Sequence, residues 1–306
     1  MTRITVAGEA LVDFVQDENG ALQWTPGGSG LNTALALARL GIETSFAGSL
    51  SCDDNGHKLS NFMRNEGIDL SQTWASNKPC PHVLASKDAQ GVPTYDLHLA
   101  GSALEEAPLQ WGWLHDTSHF HATSFAATLG PGGASALAAL QQARSSISTS
   151  FDPNIRASIF PDRSAIPLLL AHRIKHADIV KVSSEDLDVI APGILHDHII
   201  DEWTALGVRL VIVTRGAKGA VAWFEHQQFE VATPRVDVCD TIGAGDTFMG
   251  ALLAIMSDDN ALGHKRDGWS SEQVRHWLSF AAHAASLCCA RPGADPPTRE
   301  KLRAQR

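Results

Sequence analysis

Asp240-Thr241-Ile242-Gly243-Ala244-Gly245-Asp246-Thr247-Phe248, running straight into the apolar residues 249–256, is the most informative stretch of the chain. Two glycines immediately before a helix let the backbone turn tightly and aim several N–H groups at one point, where the helix dipole adds positive potential. Such a point suits an anionic oxygen. Asp246 falls in the first turn, so the corner that receives a transferring phosphoryl group also offers a carboxylate to an attacking hydroxyl. The plainer reading, a capping Asp beside an ordinary turn, stays open on these nine residues alone.

Upstream of this corner, from about residue 115, strand-like and helix-like segments alternate, the pattern of a parallel sheet covered by helices on both faces. Residues 120–125, 148–151, 179–182 and 210–214 read as strands. Residues 134–143, 167–174 and 196–206 carry the 3.6-residue period of crossover helices. The first hundred residues differ. Residues 4–14 read as one strand, 27–30 as a glycine-rich loop, and 31–40 as an apolar helix stopped by Gly41. Residues 82–87 and 94–99, separated by Asp88-Ala89-Gln90-Gly91, read as a hairpin lying off the main sheet as a lid.

The 306 residues suffice for one large α/β domain with a sizeable core. With 44% apolar and 19% charged residues the composition is that of a globular chain rather than a disordered or fibrous one. A net charge of −10 argues against a nucleic-acid or anionic-membrane partner. Five cysteines fit a reducing compartment, and neither a secretory signal nor an apolar run of spanning length is visible, so a cytoplasmic location is expected.

Residues 240–248 resemble the C-terminal signature of the ribokinase-like, or PfkB-type, carbohydrate kinases. Gly27-Gly28-Ser29-Gly30-Leu31-Asn32 with residues 34–41 resembles the N-terminal one. Residues 8–14, Asp152-Pro153-Asn154-Ile155-Arg156 and residues 291–297 are similar to the fructokinase branch. The resemblance implies a three-layer α/β sandwich with a mostly parallel central sheet and a small β-sheet lid. It spans residues 1–306 as one kinase domain, with the lid drawn from about residues 10–26 and 80–102.

It further implies transfer of the γ-phosphoryl of ATP, with Mg2+, to a primary hydroxyl of a sugar, most simply fructose. Asp246 would be the base, and Gly243, Ala244 and Gly245 the anion hole. Asp13, Gly28, Ser29, Asn32, Tyr95, His98 and Arg156 are the implied sugar contacts. Tyr95 and His98 lie three apart on one strand, so only one of them faces the ligand; for Arg156 a surface arginine capping a helix is the lesser alternative. On the nucleotide side no P-loop signature occurs, and the resemblance implies instead Thr214, Gly216, Lys218 and Gly219, with Lys181, Ser183, Asp186 and Gly245. Ser183 and Asp186 replace the Asn and Glu of the family's Asn-x-x-Glu motif, and Asp186 is expected to act on magnesium through water. Lys218 reads equally as a solvated lysine. In some relatives potassium binds beside the anion hole; here Asp240, Ile242, Arg291 and Gly293 occupy that place, with a bracing turn as the alternative. Family members pair through their lids, which adds a homodimer to the expectations.

The rival enzymes are a 2-keto-3-deoxygluconate kinase and a kinase of ribonucleoside-like riboses. The rival from another class is a sugar-sensing protein that keeps the fold without turnover. His119-x-His121 and His196-x-His198 lack the further ligands of a zinc site, and Cys288-Cys289 reads as core packing.

Overall fold

The computed structural model describes residues 3–16, 21–87, 93–106, 116–264 and 268–304. Six strands run parallel through the centre of the main sheet: β1 (Arg3–Ala7), β4 (Glu43–Ala47), β9 (His119–Thr123), β10 (Ser148–Asp152), β11 (Ile179–Ser183) and β12 (Leu210–Thr214). β13 (Ala220–Phe224) and β14 (Gln227–Val231) extend it antiparallel, giving the order β14-β13-β12-β11-β10-β9-β1-β4.

Both faces of this sheet are covered, so polar strands such as β9 and β10 are as fully buried as the apolar run of β12. One face carries Ile4, Val6, Ile179, Leu210 and Ile212 against α1 (Ser29–Arg39), α7 (Ala244–Asp258) and α8 (Ser271–Cys289). The other carries Phe120, Phe151, Val180 and Val211 against α3 (Gly130–Ala143), α4 (Ile166–Ile174) and α6 (His196–Ala205). The architecture is therefore the expected three-layer α/β sandwich. α1 and α7 approach closely: a Cβ on Gly250 would come within 2.6 Å of the Ala36 Cβ. No helix among the described residues is long and apolar enough to cross a membrane.

The segment read as one strand over residues 4–14 is two, and they belong to different sheets. β1 ends at Ala7, and after Gly8-Glu9-Ala10 the chain enters β2 (Leu11–Gln16) of a separate four-stranded sheet. In that smaller sheet β3 (Leu22–Gly27), β2, β7 (His82–Lys87) and β8 (Pro93–His98) lie side by side. The β7–β8 hairpin forms as read from sequence; its turn, residues 88–91, lies outside the described residues. The buried histidines of β9 face β10, where His119 bonds Ser148 and Ser150 and His121 bonds Ser150.

Candidate active site

At the head of α7 the chain does what its glycines require. Gly243 adopts φ +73°, and a Cβ there would sit 2.6 Å from the Ala294 Cβ. A Cβ on Gly245 would come within 2.8 Å of the Lys181 Nζ. No side chain caps the helix. The Ala244 N–H reaches Thr241 O at 3.3 Å, while the amides of Gly245 and Asp246 lie in the first turn, where intrahelical acceptors do not exist. This end of the helix is suited to receive anionic oxygens.

Asp246 is 6% exposed, and its carboxylate is held by neutral donors. Oδ1 accepts from the Ser29 hydroxyl at 2.7 Å and Oδ2 from Asn32 Nδ2 at 2.9 Å. Asn154 Nδ2 lies 3.4 Å from Oδ1. Ser29 and Asn32 belong to α1, whose N-terminus Gly28 creates with φ +101°, a conformation that a side chain would strain. A Cβ on Gly28 would also strike the Glu9 carbonyl oxygen at 2.6 Å. The expected sugar loop and the expected base, more than 200 residues apart, thus meet in one buried cluster.

Three further residues of this cluster carried no role in the sequence reading. Glu9, buried at the head of α1, accepts the Ser29 N–H at 2.9 Å. Burial pushes its carboxyl up to about 7, against the pull of the Ser29 amide. Thr123, at the end of β9, shares a 2.7 Å hydrogen bond with the Ser29 hydroxyl. Asn154 reaches Asp246 because it adopts φ +37° in the turn after β10. The available signals were an acid interrupting the apolar Gly8–Phe14 segment and an Asn in the turn after a buried strand.

In the lid sheet Asp13 is largely buried and leans on Gly27, where a Cβ would come within 2.2 Å of its Oδ2. Burial pushes its carboxyl up to about 6. Strand register separates the two aromatic candidates. Tyr95 pairs with Ala85 and so occupies the sheet face of Asp13; its side chain lies outside the described residues. His98 pairs with His82, opposite Val12, and takes the other face. It stacks on the His82 ring at 4.4 Å, beside Phe14, and pairs with Asp96 at 3.1 Å. Because side chains alternate along a strand, His98 and Tyr95 lie on opposite faces of the lid sheet, with Tyr95 on the Asp13 face. Arg156 is exposed, and its guanidinium turns back to the Ile155 carbonyl at 3.3 Å.

The ends of β11 and β12 form the next part of the same edge. Ser183 caps α5 (Ser184–Ile190) by accepting the Asp186 N–H, and Asp186 Oδ1 accepts the Ile155 N–H at 3.1 Å. Thr214 closes β12, its hydroxyl 3.4 Å from the Val182 carbonyl. Gly216 and Gly219 both have positive φ, and a Cβ on Gly219 would collide with the Val231 carbonyl oxygen at 1.9 Å. Lys218 is exposed. Lys181 is buried: its ammonium pairs with Asp152 at 2.7 Å directly under Gly245. Burial opposes that charge, and the contact with Asp152 holds Lys181 protonated.

Asp152, Asp186 and Asp246 are each nine-tenths buried or more and share this one ammonium. That excess of negative charge fits a divalent cation. Among the described residues no group of three or more His, Cys, Asp or Glu could by itself hold a metal ion, so phosphate and water oxygens would have to complete its shell. Beside the anion corner, Asp240 bridges two loops, accepting Ile242 N–H at 3.0 Å and Gly293 N–H at 2.9 Å. Arg291 pairs with Asp295 at 3.0 Å, and Asp295 also takes Arg39. The candidate potassium residues are thus adjacent and mutually braced.

The chain resembles known proteins over nearly its whole length. A fructokinase of Rhizobium leguminosarum bv. trifolii is 33% identical over 279 residues, covering 89% of this chain and 85% of that protein. The crystal structure of a Xylella fastidiosa fructokinase with bound ATP superposes with a TM-score of 0.90 at 25% identity, covering 99% of this chain and 97% of the other. A Vibrio cholerae fructokinase double mutant, with fructose, ADP and potassium ion bound, gives 0.85 at 25% identity over 99% and 98%. Residues 1–301 match the family described as pfkB family carbohydrate kinase. This chain belongs to the PfkB family of carbohydrate kinases.

Proposed function

We propose that the protein is a fructokinase that transfers the γ-phosphoryl group of ATP to a primary hydroxyl of fructose. The observation that carries this reading is the buried Asp246 carboxylate, held by Ser29 and Asn32 at the uncapped head of α7. The fructokinase likeness over most of the chain supports the ketose in particular.

In this reading Asp246 accepts the proton of the attacking hydroxyl on Oδ1, beside the Ser29 and Asn154 donors that orient it. Asp13, Gly28, Asn32 and Tyr95 orient the sugar from the lid and from α1. The amides of Gly243, Ala244 and Gly245 face the charge that develops on the phosphoryl oxygens, and their fixed directions stabilise it without reorganisation. Thr214, Gly216, Lys218 and Gly219 line the nucleotide side. Ser183 positions Asp186 by capping α5. Magnesium, when bound near Asp186, supplies positive charge to the phosphates through water. A potassium ion beside Asp240 and the Ile242 carbonyl would add to the positive potential near the anion corner. Pairing of two copies through the lid, in the cytoplasm, completes this reading; Val15 and Leu97 are exposed on the Asp13 face of the lid.

ADP release measured with fructose, 2-keto-3-deoxygluconate, a ribonucleoside and no acceptor tests the assignment. Fructose should give the highest kcat/KM. ADP release only with another acceptor would reassign the substrate, and binding of ATP and sugar without ADP would make the chain a sensor.

A further inference from the structure

The ion pair under the anion corner has a role that follows from its surroundings, given Asp246 as the base. We infer that Asp152 is a positioning residue: by holding the Lys181 ammonium beneath Gly245, it keeps that cation off the Asp246 carboxylate.

Lys181 projects from the middle of β11 toward the face covered by α7, and Asp152 ends the neighbouring strand β10. Their side chains are 5% and 1% exposed, and Nζ lies 2.7 Å from Oδ2. The ammonium occupies the space that a side chain on residue 245 would need, one residue from the base. The positive end of a helix is an unfavourable place for a buried cation, so nearby carboxylates must compensate it. The charged groups facing Lys181 are Asp152 from β10, Asp186 from α5 and Asp246 from α7. His121 of β9 also lies close, and burial keeps it neutral.

Asp246 receives only neutral donors, from Ser29, Asn32 and Asn154. Neutral donors orient a carboxylate while leaving it more basic than an ammonium contact would. Removing the Asp152 charge would leave Lys181 buried with two remaining acidic neighbours, and Asp246 lies next to the glycine that the ammonium already touches. Pairing there would lower the basicity of Asp246 and occupy the oxygen that the sugar hydroxyl needs. Asp152 also acts on Asp246 by a second route. Its Oδ1 accepts the Asn154 N–H at 3.1 Å, fixing the turn that brings the Asn154 amide to the base.

The test is a double-mutant cycle of D152N, K181M and D152N/K181M, with D246N in the same assay. Folding is checked by circular dichroism, and kcat, KM for fructose and the pH profile of kcat are recorded. D152N should fold, because Lys181 has another carboxylate in reach, and should lose about 10- to 100-fold in kcat with KM changed by less than about threefold. In the K181M background the same Asp152→Asn change should cost less than about threefold. Equal losses in both backgrounds, full activity of D152N, or failure of D152N to fold would each overturn the inference. If D246N keeps its turnover, the base assignment itself fails; if D246N is inactive while D152N is not, only the role of Asp152 fails.

Discussion

The hydroxyl of Ser29 donates to Oδ1 of Asp246 at 2.7 Å, tying the first turn of α1 to the first turn of α7 across 217 residues of sequence. The same hydroxyl meets Thr123 at 2.7 Å, so it stands between a strand end and the Asp246 carboxylate and fixes the rotation of that carboxylate. Ser29→Ala removes a donor to a buried charge. It should lower stability by about 1–3 kcal/mol and kcat by roughly tenfold. Thermal unfolding and steady-state kinetics check both; an unchanged kcat would show that Asn32 alone orients Asp246.

Asp246→Asn keeps the size of the side chain and removes its basicity. The variant should bind ATP as the wild type does, measured by calorimetry, and lose about 10²- to 10⁴-fold in kcat. Near-normal turnover would remove Asp246 from the chemistry.

Glu9 gives the protein a particular pH dependence. Burial raises its carboxyl to about 7, above its ordinary 4.5, while the Ser29 amide and Ser124 hydroxyl oppose the shift and the Asp246 charge adds to it. The native state therefore binds this proton more tightly than the unfolded chain does. The associated stability is complete below pH 4.5 and is lost as pH rises through 7, by an amount on the order of 3 kcal/mol. Glu9→Gln keeps an acceptor for the Ser29 N–H and cannot ionise. Denaturant unfolding between pH 5 and 8 should slope less for E9Q than for the wild type; parallel curves would contradict the assignment. Asp13, raised to about 6 by burial, contributes in the same direction in both proteins.

Asp240→Ala should separate the two roles open to that residue. Without the bridge between the Ile242 and Gly293 amides, the anion corner loses its brace, and kcat should fall by about tenfold or more in any salt. If potassium acts there, wild-type activity in potassium chloride should exceed that in tetramethylammonium chloride, and the ratio should approach one in D240A.

Much of this architecture can be read from residue patterns. β12 is a run of five buried or half-buried residues bounded by its own turn, and its limits match the sequence reading; α1 is mostly apolar and ends just before Gly41, which takes φ +78°. The β13–β14 hairpin gave no such signal. Glu225 and His226 turn it with φ +48° and +61°, where asparagine and glycine are the usual markers. β3 ends in Thr25-Pro26-Gly27, a sequence that advertises a loop, yet it pairs along its length with β2. For the site, the glycines and Asp246 stood out because they fall together at one helix start. Glu9, Thr123, Asn154 and the Asp152–Lys181 pair act through contacts between distant segments. No local pattern encodes which strand end will face which helix.

The close approach of α1 and α7 at Gly250 and Ala36 has a consequence for how such an enzyme diversifies. Ser29 and Asn32 ride on one rod and Asp246 on the other, and the two rods are clamped less than two turns below the reacting atoms. Any bulkier residue at the clamp would pry the donor pair from the acid. New acceptor molecules must therefore be accommodated by altering the smaller sheet and the strand-end turns, while the helical pair that carries Ser29, Asn32 and Asp246 stays fixed.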